Sequence, residues 1–119
     1  MNGINAYKET AIGTQDSGKL IVMLYDGAIK FLKQAIAEMH SNNYEAKGKS
    51  ISRAQDIINE LNMVLDIEAG GEVALNLRSL YNFMVRHLSE ANIKCNPEKC
   101  QDVIRLLEDL NQGWRTITS

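Results

Sequence analysis

An all-α, antiparallel up-and-down four-helix bundle is the fold class this sequence predicts, and three observations predict it. Apolar residues recur at spacings of three and four through four separate stretches. The connections between those stretches are short enough to force antiparallel neighbours. A single proline and an aromatic content of 6% suit helices better than a β-sandwich. Ahead of the bundle, residues 1–15 read as an extended or partly mobile N-terminal cap segment, so that the domain proper spans 16–119.

The cap segment holds Ile4, Tyr7 and Ile12 as its sizeable apolar groups, with polar residues and two glycines between them. No period is sustained long enough for a free helix. A tyrosine carries a large ring at low entropy cost, so Ile4 and Tyr7 suit docking onto another surface.

Asp16 or Ser17 is placed to cap the first helix, which runs to about His40. Its stretch from Leu20 to Met39 puts Leu20, Val22, Leu24, Tyr25, Ala28, Ile29, Phe31, Leu32, Ala35, Ile36 and Met39 on one arc about 200° wide. A core-facing stripe needs roughly half of that. The excess has two readings, a central helix touched on several sides and a surface that lines a groove. On the polar side, Asp26 stands four residues before Lys30, the favourable order for an exposed ion pair.

Asn42 with Glu45 resembles a capping box at the second helix start. Ile51, Ala54, Ile58, Leu61 and Leu65 form that helix's buried face, and Gly70-Gly71 after Ile67-Glu68-Ala69 predicts a left-handed cap and turn. The third helix is predicted over Glu72 to about Ile93, with Val73, Leu77, Leu80, Tyr81, Met84, Leu88 and Ala91 as its stripe. Asn96-Pro97 then opens the fourth helix as cap and first residue. Val103, Leu107, Leu110, Trp114 and Ile117 are its inward positions.

Composition narrows the function. A net charge of -2 with interspersed signs offers no basic stripe for nucleic acid and no polybasic membrane patch. No apolar run is long enough to insert in a membrane, and MNGINAYKET has no signal core, so the chain reads as cytoplasmic. Cys95 and Cys100 alone do not make a zinc site. They read as free thiols near a helix start, with a redox pair as the lesser alternative.

Neither His40 nor His87 has a glutamate three residues ahead, which sets aside a di-iron bundle. The run His87-Leu88-Ser89-Glu90-Ala91 places a carboxylate where phosphotransfer domains carry a lysine, and a carboxylate repels a phosphoryl group. Phosphate loops and nucleophile elbows are absent from the sequence as well. The expectation is a protein that is not an enzyme. What the core stripes leave over is apolar surface: Met63 and Ile67 off helix two, Leu75 and Phe83 off helix three.

Several runs carry a resemblance. They are Ile4 and Tyr7 within Ile-x-Ala-Tyr, Met23-Leu24-Tyr25-Asp26-Gly27-Ala28, Gly70-Gly71-Glu72-Val73-Ala74 with Asn76-Leu77 and Leu80-Tyr81, Glu90-Ala91-Asn92, and Leu110 with Trp114. In order and spacing, over nearly the whole chain, this pattern resembles the FliS family of flagellar secretion chaperones. The resemblance implies a cytoplasmic bundle that binds the disordered C-terminal segment of flagellin, prevents premature polymerisation and assists delivery to the flagellar type III export apparatus. It implies no cofactor, and it leaves room for additional flagellar regulatory proteins as partners.

It further implies that the N-terminal segment covers part of the binding surface, with Ile4 and Tyr7 at its anchor positions. Leu24, Tyr25 and Ala28 match the family's first-helix motif. Together with Met63, Ile67, Leu75 and Phe83 these make up the client-binding or groove-capping candidates. One departure is Asp16-Ser17-Gly18-Lys19, where the family commonly has Ser-Pro. The rival readings are a histidine phosphotransfer or regulatory bundle using His87, and a structural bundle that self-associates.

Overall fold

A computed structural model describes residues 17–118, which form four helices in sequence: α1 Ser17–His40, α2 Tyr44–Met63, α3 Ile67–Lys94 and α4 Pro97–Thr118. Ile4, Tyr7, Ile12 and the capping role of Asp16 lie outside the described residues. Each helix packs on two neighbours: α1 on α2 and α4, and α3 on the same two. This is the square of an up-and-down bundle.

The two hairpins close in the same way. After α1, the Asn43 N–H donates to the Glu38 carbonyl and the Asn42 N–H to the Met39 carbonyl, with Asn42 at φ 58°. After α3, the Asn96 N–H donates to the Ala91 carbonyl and the Cys95 N–H to the Asn92 carbonyl, with Cys95 at φ 50°. Both are Schellman closures, which satisfy the helix-end carbonyls by passing one residue through the left-handed region. Asn96 Oδ1 then accepts the N–H groups of Glu98 and Lys99 at 2.9 and 3.3 Å, so α4 starts at Pro97 as predicted.

Two local expectations are corrected. The cap of α2 is Asn43, whose side chain accepts the Ala46 N–H at 3.4 Å. Asn42 is committed to the left-handed closure of α1 and cannot also cap the next helix. Further on, α2 stops at Met63, and Asp66 caps a new helix by accepting the Ala69 N–H at 3.0 Å. Ile67, Glu68 and Ala69 therefore open α3. Gly71, at φ 57° and ψ -133°, breaks the helical dihedrals and separates this opening turn from the long run that begins at Glu72, so the glycine turn stands where the sequence placed it but follows a short helical turn of its own.

The core runs the length of the bundle. Tyr25, Ile21 and Leu32 enter from α1, Ile51, Ile58 and Leu61 from α2, Tyr81, Met84 and Leu88 from α3, and Ile104 and Leu107 from α4. At its middle Tyr25 and Tyr81 share a buried hydrogen bond between their hydroxyls, joining α1 to α3 across the diagonal of the square. Val73, predicted in the α3 stripe, is exposed, and Ala74 takes the inward place beside the kink.

Candidate functional site

The four seams between helices differ in chemistry, and the difference defines the candidate site. Two seams are polar. Across α1/α4, the Asp26 carboxylate accepts from Asn111 Nδ2 at 2.7 Å, and both its oxygens accept from Arg115 Nη2 at 2.6 Å. Lys33 faces Glu108 at 3.7 Å further along. Asp26 is thus tied to α4, not paired with Lys30 along its own helix, because a guanidinium across the seam engages both carboxylate oxygens. Two shallow depressions, of about 520 and 310 Å³, lie on this face among Lys30, Lys33, Glu108 and Arg115.

Across α2/α3, Gln55 Nε2 donates to the Val85 carbonyl at 3.0 Å and to Ser89 Oγ at 2.9 Å. Asn62 donates to Asn82 Oδ1 at 3.0 Å and accepts from Arg78 Nε at 3.3 Å. The buried Lys47 Nζ donates to the Asn92 carbonyl at 2.9 Å, placing its charge at the negative end of α3.

Along the other two seams the outer groove between the helices is lined over part of its length by half-buried and exposed apolar side chains. On the flank of α1 that faces α2, Leu20, Leu24, Gly27 and Phe31 follow one another at helical spacing. A Cβ on Gly27 would lie 3.4 Å from Ile57 Cδ1, and the Arg53 guanidinium lies 5.6 Å over the Phe31 ring, which fixes Ile57 and Arg53 as the opposite wall. Leu24, Phe31, Ile57 and Val64 are half-buried against the core, with Leu20 exposed at the mouth.

The second cleft lies between α3 and α4, the least closely packed seam of the four. His87 reaches Asp102 across it at 3.0 Å, so residues in register with that bond share the cleft: Val73, Leu77, Leu80 and Phe83 on α3, Leu106 and Leu110 on α4. Leu77, Leu80, Leu106 and Leu110 are half-buried, whereas Val73 and Phe83 are exposed.

Both clefts are polar at the end of the bundle that carries the Asn42 and Cys95 turns. There Ser50 Oγ donates to Glu38 at 2.6 Å, and Lys99 pairs with Glu90 at 3.0 Å. The Glu90 carboxyl is held below the usual carboxylate range, chiefly by its hydrogen bond from Lys99 and the charge of that ammonium. Toward the opposite end both clefts become apolar, and Met23, Met63, Val73 and Leu75 are exposed there.

The predicted candidates fall into three groups. Met63, Leu75 and Phe83 are exposed large apolar groups, at 82%, 50% and 40%. Leu24 and Ile67 are half-buried, and Ile67 sits in the first turn of α3 instead of on α2. Tyr25 and Ala28 are at 0% exposure in the core, so of the three first-helix motif residues these two pack inside and shape the scaffold beneath the α1 surface. Sequence reasoning did not single out Leu80, Leu106 and Leu110 as a shared wall. The spacing of Asp102, Leu106 and Leu110 was a usable signal, but only once His87 fixed the facing of the two helices.

His87 is engaged by Asp102 and stacked on Phe83 with ring centroids 4.9 Å apart. Burial pushes the Cys100 thiol up to about 11, and the neighbouring Cys95 adds to the shift. Among the described residues no group of three or more His, Cys, Asp or Glu side chains is placed to hold a metal ion, and no helix is long and apolar enough to cross a membrane.

The whole chain, residues 1–119, matches the family model described as Flagellar protein FliS. It is 37% identical over 118 residues to the flagellar secretion chaperone FliS of Vibrio cholerae, covering 96% of this chain and 87% of that one. The Salmonella typhimurium protein of the same name is 37% identical over 122 residues, covering 98% and 90%. That of Bacillus subtilis is 31% identical over 114 residues, covering 96% and 84%.

Proposed function

The chain belongs to the FliS family of flagellar proteins, and from that premise we propose that it is an export chaperone whose two apolar clefts hold the disordered C-terminal segment of flagellin. The observation that carries this reading is the distribution of seam chemistry. A client that orders on binding must offset several kcal/mol of lost chain freedom, so it needs a long apolar track more than one deep pocket. The α1/α2 and α3/α4 clefts lie on opposite flanks and become apolar toward the same end of the bundle, where Met63 and Leu75 add exposed area. A segment crossing that end gains both clefts in one path, with its apolar groups withheld from other flagellin molecules until delivery to the flagellar export apparatus.

In this reading the protein acts in the cytoplasm, carries no chemical step and takes no cofactor. Residues 1–15 cover part of the track through Ile4 and Tyr7 before the client arrives. Leu24, Ile67, Met63, Leu75 and Phe83 are the described residues proposed to meet client, while Tyr25 and Ala28 hold the helices that present them. Titration with intact flagellin and with flagellin lacking its C-terminal segment tests the reading. Saturable binding lost on truncation is expected, and equal affinity for both forms overturns it.

A further inference from the structure

Phe83 is the one aromatic side chain exposed along the α3/α4 cleft among the described residues, and it is not left to move freely. One turn further along α3 the His87 ring lies nearly parallel to it, 25° between planes and 4.9 Å between centroids. The imidazole is mostly buried, and its Nε2 shares a 3.0 Å hydrogen bond with Asp102 Oδ2 of α4. The other oxygen of Asp102 faces Arg105 Nη1 at 3.7 Å, which steadies the carboxylate from its own helix. A line of contacts thus runs from α4 to one face of the Phe83 ring.

Stability gives the outer part of this line, Asp102 with Arg105, little reason to exist. The Asp102 and Arg105 side chains are about half exposed or more, and exposed polar pairs of this kind contribute little to folding. What the line does is limit the rotamers of a half-exposed phenylalanine beside Leu80 and opposite Leu106 and Leu110. An aromatic group that is already ordered spends less entropy when a partner closes over it. Resting on the function proposed above, we propose that Asp102 and His87 are positioning residues that hold Phe83 as a preset aromatic anchor for the flagellin C-terminal segment. His87 sets the ring from behind, Asp102 sets the imidazole, and the outer face of Phe83 remains for the client.

A double-mutant cycle tests this, using full-length protein and a synthetic peptide of the cognate flagellin C-terminal segment. Phe83→Ala is expected to weaken binding by tenfold or more, roughly the behaviour of an aromatic anchor. His87→Ala and Asp102→Ala each weaken it by roughly three- to tenfold, the range of one stacked ring pair. The distinguishing readout is the double variant: with Phe83 already removed, His87→Ala costs no further affinity. His87→Gln, whose planar amide still donates to Asp102, retains most of the binding and guards against a folding defect in the alanine variant.

A full additional loss in the Phe83→Ala background overturns the proposal, as does His87→Gln behaving like His87→Ala in a folded protein. If the unaltered protein fails to bind the peptide, the proposed function falls with it. If that protein binds and the cycle shows no coupling, only the anchor is lost.

Discussion

Replacing Tyr25 by phenylalanine separates the scaffold from the binding surface more cleanly than any other single change. Tyr25 and Tyr81 are at 0% exposure and bonded to each other through their hydroxyls across the diagonal of the bundle. The substitution keeps the ring and removes one oxygen, so no cavity of consequence forms. The hydrogen bond itself is worth about 1 kcal/mol net. Tyr25→Phe is therefore expected to destabilise by about 1–2 kcal/mol, which for a domain of this size lowers Tm by roughly 4–8 °C.

Tyr81→Phe should cost a similar amount. The double variant should lose about as much as either one, giving a coupling of about 1 kcal/mol. Urea unfolding followed by circular dichroism supplies all four corners, with Leu88→Ala, expected to cost about 2–5 kcal/mol, as a core reference. Affinity for the flagellin C-terminal peptide is measured on the same samples below their transitions and is expected to stay within about twofold, because the ring and the α1 backbone are unchanged. Strictly additive losses refute the shared bond, and weakened peptide binding at undiminished stability would refute a purely interior role for Tyr25.

Other outcomes follow from single features. Gly71→Ala should cost about 1–3 kcal/mol, since its positive φ with ψ near -133° suits glycine alone, whereas Gly113→Ala, inside α4 with open space where its Cβ would stand, should stabilise by about 0.5–1 kcal/mol; paired urea titrations check the opposite signs. The raised Cys100 pKa means that the folded state keeps a proton the unfolded chain gives up. Stability is thus full below the ordinary thiol range and lost as pH climbs toward about 11. Unfolding midpoints from neutral to alkaline pH should show that slope, and Cys100→Ala should remove it. Glu90 has the opposite sign, because its lowered pKa gives stability that is present above the ordinary carboxylate range and lost as pH falls through the folded value. Lys99→Ala should flatten that part of the acid limb in thermal melts.

Most of the fold was legible because helix periodicity survives without knowledge of neighbours. The buried set Ile51, Ala54, Ile58, Leu61 and Leu65 follows from spacing alone, as does the start of α4 at Asn96-Pro97. One difference arose where two adjacent polar residues compete for one role. Asn42 and Asn43 are both able to cap, and only the left-handed closure of α1 decides between them. The candidate site was less legible for a related reason. An over-wide arc on α1 marks residues that face something but not which seam they face, so Tyr25 and Leu24 look alike in sequence and differ in burial. Asp26 illustrates the same gap, since its partner Arg115 lies 89 residues away.

The two polar seams close with different kinds of bond, and they should answer differently to ionic strength. Across α1/α4 two of the three ties join opposite charges on partly exposed side chains, Asp26 with Arg115 and Lys33 with Glu108, and the third joins Asp26 to the neutral Asn111 amide. Across α2/α3 the ties named above all end on neutral oxygens, those of Asn92, Val85, Ser89, Asn82 and Asn62. Dissolved ions shorten the reach of the first kind and scarcely touch the second. Brine therefore loosens only the outer fastenings of the first and last rods, each worth at most about 1 kcal/mol, and leaves the shared interior that joins them, like the inner pair, as it was.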